Sequence, residues 1–315
     1  MSIYQNFFNA DIRPNCIGIL KSGRIACLTD KNMFIIFNQK NYAIEKKFSL
    51  SENKNSLVEK LEKFSQLNNS NLLIFYSSIY IYKIGNNSMN LLYKLLGHKE
   101  GVDDVIEAKN KKLISSSRDK SFKIWEFQKS QKNYICTNTI VHGKDYHSHI
   151  EFIKDDEFIF ISNVVRFYEY KNQNITKKSV IDKVNCTNLF TKINKVGFVP
   201  CIASNEINII DLEKKKLIYI FKTKDMMAEI HYIIKLNNDN LIIAGFQGKF
   251  TDKKFVLKEL EIKNNKINEI MSQNLDCTYW CKGMIETKRE NENILILNCG
   301  QMKFYAKIKL KFYIS

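Results

Sequence analysis

The chain has 315 residues, 44% of them hydrophobic and 26% charged, with a formal net charge of +16. That apolar content supports a large core and excludes wholesale disorder. With two prolines and eleven glycines, no Pro-rich or Gly/Ser-rich linker divides the chain. The basic balance invites acidic partners, yet arginine occurs only at Arg13, Arg24, Arg118, Arg166 and Arg289. Arginine is the residue suited to bidentate phosphate contacts, so the lysine excess reads as compositional drift more than selection for nucleic acid.

In chain order, Met1 to Asn6 has neither the basic nor the apolar stretch of a leader, and residues 3–8 read as a lone strand. Residues 16–20 and 25–28 are strands, followed by a third around Ile36. The connection 49–58 is polar. Residues 56–64 have spacing for a helical turn, but their place between strands favours a strand over 58–64. Leu72-Leu73-Ile74-Phe75-Tyr76 is a short, β-rich apolar run of the kind that forms buried strands. The same reading applies to 150–153 and 158–161, to 187–191 and 199–203, to 231–236 and 241–244, and to 279–285 and 294–297. The stretches 247–254 and 286–293 read as lengthened turns, where recognition often concentrates on a rigid scaffold. No apolar run approaches the roughly 18 residues that cross a bilayer. The scattered cysteines behave as small hydrophobes. These features predict a cytoplasmic protein in a reducing compartment, with the nucleus or a cytoskeletal or ciliary assembly left open.

One segment organises the rest. Gly97-His98 is followed by Val102-Asp103-Asp104-Val105, then by Leu113-Ile114-Ser115-Ser116-Ser117-Arg118-Asp119-Lys120-Ser121-Phe122-Lys123-Ile124-Trp125-Glu126-Phe127. This closely resembles a WD40 repeat: an opening Gly-His, a Ser-rich second strand, a tight turn ending in Asp, and a third strand closing on Trp and an acid. Positions equivalent to Trp125 recur at Ile36, Tyr82, Tyr168, Ile210, about Leu257, and Tyr305, roughly forty to fifty residues apart, as WD40 blades do.

The resemblance implies an all-β, seven-bladed β-propeller of four-stranded antiparallel blades, a single domain over residues 1–315. Stacked blades cover one another's faces and a closed ring removes long edges. The amino-terminal strand is expected to close the ring beside residues 302–310; the alternative is that 311–314 supplies the last strand. The resemblance also assigns a buried structural network to His98, Ser115 or Ser117, Asp119 and Trp125. It places partner binding at the tight-turn face, with Arg118 exposed there and Lys99, Asp103 and Lys144 beside it.

Catalytic and cofactor chemistry find little support. Ser, His and Asp have the letters of a hydrolase, but the repeat accounts for all of them. His147-Ser148-His149 could present two imidazoles on one strand face, without a third ligand at suitable spacing. There is no phosphate-binding loop or nucleophile elbow. The expectation is a chain that is not an enzyme, with no cofactor or metal. It acts as a protein–protein interaction scaffold or adaptor, a subunit of a larger assembly, whose partners are other proteins with acidic surfaces. The alternative is an RNA- or ribonucleoprotein-associated propeller that uses the positive charge.

Overall fold

The computed structural model describes residues 3–4, 14–38, 41, 43–50, 61–143, 148–182, 184, 186–187, 189–201, 204–223, 229–247, 254–263, 266–275, 283–289, 292–298 and 307–309. Every named element is a β-strand. A short strand β1 (Ile3–Tyr4) precedes the first four-stranded sheet, β2 (Pro14–Ile19), β3 (Ile25–Thr29), β4 (Met33–Phe37) and β5 (Ile44–Ser49). The second is β6 (Lys63–Gln66), β7 (Leu72–Phe75), β8 (Ile79–Ile84) and β9 (Met89–Leu95). The third is β10 (Val102–Glu107), β11 (Leu113–Ser117), β12 (Ser121–Gln128) and β13 (Asn133–Val141). The fourth is β14 (His149–Phe152), β15 (Glu157–Ile161), β16 (Val165–Lys171) and β17 (Asn174–Ile181). The fifth is β18 (Thr191–Ile193), β19 (Val196–Pro200), β20 (Glu206–Asp211) and β21 (Lys216–Lys222). The sixth is β22 (Glu229–Lys235), β23 (Leu241–Gln247), β24 (Lys254–Lys263) and β25 (Lys266–Leu275). The chain ends on β26 (Gly283–Arg289), β27 (Glu292–Asn298) and β28 (Lys307–Lys309).

These sheets are antiparallel propeller blades, and all but one are ordered as the chain runs. The expected set of seven equivalent blades resolves differently among the described residues. Six blades are runs of four consecutive strands. The remaining sheet is composite, ordered β1-β28-β27-β26, and draws on both ends of the chain. Within it Ile3 lies opposite Ile308 and Tyr4 opposite Lys307, so the amino-terminal strand joins the segment 302–310 as anticipated.

The register corrects two anchors. In each of the six blades the ladder between third and fourth strands is interrupted by a bulge, at Ile36/Phe37, Ile81/Tyr82, Ile124/Trp125, Phe167/Tyr168, Ile209/Ile210 and Glu259/Leu260. The residue facing the start or near-start of the second strand is Phe37, opposite Ile25, and Leu260, opposite Leu241, just as Trp125 faces Leu113. The equivalents of Trp125 are therefore Phe37 and Leu260 rather than Ile36 and Leu257. Phe34 to Phe37 are all buried, as are Leu257 and Leu260. A strand covered on both faces offers no alternation from which to read its phase. For the same reason β19 lies off its expected position, 199–203, and β18 before it lies off 187–191. Tyr305 lies outside the described residues. The expected long turn at 286–293 is instead a tight hairpin, with Glu286 paired to Leu295 and Arg289 to Glu292. Most of the connections 49–58 and 247–254 lie outside the described residues.

Packing divides the chain into two units, Met1–Gln66 with Asn86–Ser88 and Asp225–Ser315, and Leu67–Gly85 with Met89–Lys224. In the first, Leu236, Ile242, Phe255 and Leu257 pack on Met284 and Leu295, and Ile17, Ile25 and Phe37 pack on Ile296. In the second, Trp125 joins Leu73, Ile81 and Leu113, and Ile114, Phe122 and Ile124 join Phe158, Phe160 and Tyr168. Phe122 is the hub of that last cluster. Its ring meets Phe158, Phe160 and Tyr168 edge-on, with centroids 5.6, 5.3 and 5.1 Å away. Edge-to-face pairs add to the gain from burial. Phe122→Ala is expected to destabilise the fold by about 3–5 kcal/mol and Phe122→Leu by about 1 kcal/mol, read from denaturant unfolding. Equal, small losses for both would mean the cluster collapses around the gap.

Candidate functional site

The third blade carries the polar set, and its backbone explains the placement. Lys120 takes a left-handed conformation, φ 68°, so β11 turns directly into β12 and Asp119 sits at the turn with its side chain directed back. Ser117 Oγ accepts the Asp119 N–H at 3.1 Å and donates to Glu100 O at 3.2 Å. The Asp119 carboxylate accepts four donors. Oδ1 takes the Ser121 N–H at 3.0 Å and the Ser121 O–H at 2.6 Å, and Oδ2 takes the Lys99 N–H at 3.0 Å and His98 Nδ1 at 2.8 Å. Burial works against the carboxylate's charge, but these donors, Ser121 first, hold its pKa down at about 2.

His98 continues the chain inward. With Nδ1–H given to Asp119, Nε2 accepts the Ser115 hydroxyl at 2.6 Å, and Ser115 Oγ accepts Trp125 Nε1–H at 2.8 Å. Burial lowers the His98 pKa, only partly offset by Asp119, which keeps the ring neutral in this tautomer. Ser115, His98 and Asp119 thus have the connectivity of a hydrolytic triad. Ser115, however, is fully buried beneath Trp125, with no room for a substrate carbonyl.

Of the residues expected at a binding face, Lys99 is exposed and Lys144 lies outside the described residues. Asp103 is not a surface neighbour: it is 4% exposed. Its carboxylate accepts Arg118 Nε at 3.2 Å and the Ser148 N–H at 3.1 Å. Arg118 does not project freely into solvent either. Its side chain is 28% exposed, lies 5.4 Å from the Tyr76 ring centroid and forms the ion pair with Asp103. Its backbone N–H bonds Gly101 O at 3.0 Å. The reason is a bulge between Val102 and Asp104, which lets two adjacent acids both serve. Asp103 turns to Arg118 and Ser148, and Asp104 turns to β14. A charge reversal at Arg118 would therefore set two carboxylates together at a buried acid, so that residue is structural as well as superficial.

Four further residues, of which only His149 is a candidate ligand from sequence, complete the region. Asp104 Oδ2 accepts the Ile150 N–H at 3.1 Å and pairs with His149 Nδ1 at 2.7 Å. His149 also approaches Glu151 at 3.6 Å, and Glu151 pairs with Lys192 at 2.8 Å. A row of alternating charge, Asp104, His149, Glu151, Lys192, therefore links the first strands of the third, fourth and fifth blades. The sequence signals were the doubled acid in Val102-Asp103-Asp104-Val105 and the short spacing of His147-Ser148-His149. His149 is committed to these carboxylates; His147 lies outside the described residues. Among the described residues no three metal-ligating side chains converge, and no helix is long and apolar enough to cross a membrane.

With this geometry in place, comparison with solved structures is informative. The chain is similar over 98% of its length to a structure of U3-55K (TM-score 0.71, 11% identity, 98% of that chain). It is similar over the same share to the RRP9 WD40 repeats (TM-score 0.71, 11% identity, 97% of that chain) and the WD40 β-propeller domain of Doa1 (TM-score 0.67, 10% identity, 96% of that chain). The fold is that of a WD40-repeat β-propeller. No protein-family model matches the sequence, and no curated protein matches it significantly. The WD40 polar network is spelled out in full in the third blade; elsewhere its place is taken by apolar residues such as Phe37, Ile210 and Leu260.

Two measurements test this site. Trp125→Ala is expected to cost about 3–5 kcal/mol, while Trp125→Phe, which keeps an aromatic ring but deletes the donor to Ser115 and part of the buried indole, costs about 1–2 kcal/mol; indistinguishable melts for wild type and Trp125→Phe would dissolve the network.

The second is pH dependence. Burial opposes the His149 charge, but Asp104 and then Glu151 push its pKa up to about 9. Its contribution is complete below the unfolded value near 6.5 and disappears as pH rises through about 9. His98, shifted downward, contributes above about 6.5 and loses that contribution as pH falls. Thermal melts at about pH 6, 7.5 and 9 should show wild type weakening on both sides of neutrality. His149→Gln should lose the decline between about 6.5 and 9, and an unaltered alkaline limb would contradict the assignment.

Proposed function

We propose that this protein is a non-catalytic protein–protein interaction scaffold and a subunit of a larger assembly. The observation that carries the reading is the pre-organised turn of the third blade. Asp119, His98, Ser115 and Trp125 fix the backbone from below, and Lys99, Tyr76 and Arg118 are held at its surface. A guanidinium already oriented by an aromatic ring and a buried carboxylate loses little freedom on binding, and arginine and tyrosine are common anchors of interfaces. The triad-like trio argues for support rather than hydrolysis, since its nucleophile position is sealed. A cytoplasmic, reducing setting accords with thiols packed as hydrophobes: burial pushes the Cys186 thiol up to about 12.

The partner surface that fits is acidic, because Lys99 and Arg118 present positive charge there. The second reading, RNA or ribonucleoprotein binding, draws on the net charge of +16. Against it stands the neutralisation of lysines blade by blade, as in Lys112–Glu126, Lys178–Glu169 and Lys258–Glu269.

The test is affinity purification of wild type, Lys99→Glu and Arg118→Gln from native cells, with and without nuclease. Lys99→Glu, at an exposed position, should leave the melting temperature unchanged and reduce recovery of nuclease-resistant partners several-fold. Arg118→Gln should reduce recovery and also cost stability at Asp103. Capture that vanishes with nuclease or moderate salt would replace the scaffold reading with the RNA reading.

A further inference from the structure

The outermost strands of the blades are not alike. In β5 the sequence is Ile-Glu-Lys-Lys-Phe-Ser and in β17 Asn-Ile-Thr-Lys-Lys-Ser-Val-Ile, each with lysines in mid-strand. Charged side chains there are the usual protection of a sheet edge. Strand β21 lacks them. It reads Lys216-Leu217-Ile218-Tyr219-Ile220-Phe221-Lys222, five successive apolar residues between two lysines. Ile218 is 51% exposed and Ile220 40%, and Lys216 and Lys222 are exposed. In its sheet β21 pairs only with β20, so its other edge has no neighbouring strand among the described residues.

The phase of that free edge follows from one hydrogen bond. Thr223 N–H donates to Asn205 O at 3.0 Å, and Lys222 lies opposite Glu206, Phe221 opposite Ile207 and Ile220 opposite Asn208. In an antiparallel ladder the bonded pairs alternate. Phe221 and Tyr219 therefore turn their backbone groups to β20, and Ile220 and Lys222 turn theirs outward. The bulge at Ile209/Ile210 leaves Ile218 as the extra residue of β21, so this phase runs over Tyr219 to Lys222, where outward N–H and C=O groups beside the exposed Ile220 are a template for an added strand.

We propose that the free edge of β21 accepts an extended peptide strand with an apolar middle and acidic ends, added antiparallel to it. The lysines decide the occupant. The motif is a charge palindrome about Tyr219. Self-pairing of two copies sets Lys216 against Lys222 at both ends if antiparallel, and each lysine against itself if parallel. Like charges directly opposed across a ladder are destabilising, and opposite charges contribute favourably. Lys222 is already paired with Glu206 at 2.9 Å while remaining well exposed, so it can share a second carboxylate. None of these residues belongs to the Arg118 face, and the inference stands or falls independently of it.

The test uses the full chain and labelled seven-residue probe peptides, with fluorescence anisotropy as the readout. One probe has Glu at both ends and alternating Val and Thr between, the second has Lys at both ends, and the third carries a central Pro in the Glu-ended frame. The Glu-ended probe should bind at least about tenfold more tightly than the other two. Lys216→Glu should shift preference toward the Lys-ended probe. Ile220→Pro removes an outward N–H without costing a ladder bond, which edge strands tolerate, and should abolish binding. If that variant fails to fold, the double change Ile218→Lys with Ile220→Lys, which copies the protected edges of β5 and β17, supplies the same contrast. Equal affinity for Glu-ended and Lys-ended probes, no saturable binding, or binding unaffected by the edge variants would overturn the proposal. So would a concentration-dependent dimer in sedimentation that the edge variants disperse, since the edge would then serve a second copy.

Discussion

In the six blades of consecutive strands the second and third strands are largely covered on both faces, and most of the structure follows from that constraint. Strands β3 and β7 are buried at every position, and β23 at all but its last residue. Such strands can carry almost no polarity, so each sheet has two apolar faces and cannot stand alone in water. The remedy is to lay the next blade against it, as Phe122 of the third does with Phe158 and Tyr168 of the fourth. Radial stacking of this kind holds WD40 blades together when the signature residues are gone. Only size and hydrophobicity need be kept, which is how Phe37, Ile210 and Leu260 stand where Trp125 stands.

The third blade departs from this plan and shows what polarity contributes. Ser115, Ser116 and Ser117 are fully buried in a central strand, a costly arrangement unless every hydroxyl is satisfied. Each is. Ser115 serves His98 and Trp125, Ser117 serves Glu100 and Asp119, and Ser116 accepts Ser148 Oγ at 3.0 Å. Hydrogen bonds have directions where apolar contacts do not, so this blade has one admissible arrangement of its turns. Through Asp103 and Asp104 it passes that order to the start of the fourth blade. The surface beside Arg118 is rigid because of what lies beneath it.

The same constraint explains what could be read from sequence. The third blade was legible almost residue by residue, since a polar network requires particular side chains at particular spacings. His98, Ser115, Asp119 and Trp125 stand in one hydrogen-bonded chain. Elsewhere the strands were legible but their phase was not. Ile36 and Phe37 are equally apolar, and nothing local says which of them follows the bulge. Exposure was harder still. Asp103 and Arg118 both look like surface residues, yet each answers the other, and only the bulge after Val102 brings them together. The row from Asp104 to Lys192 was hidden for a further reason: its members lie far apart in the chain, and charged residues in a lysine-rich sequence attract no notice one at a time.

The outer strands are where the constraint relaxes. An outermost strand has one paired edge and one free edge, and its side chains can alternate between partial burial and solvent, as the exposure pattern of β21 shows. Solubility asks only that a free edge be unattractive to other strands, and one or two mid-strand lysines suffice. β21 keeps lysines only at its ends. That arrangement still opposes a second copy of itself, because in-register self-pairing meets like charge, but it does not oppose a strand of complementary ends. Protection against self-association and receptivity toward a different partner are thus separable, and the placement of two lysines is enough to separate them.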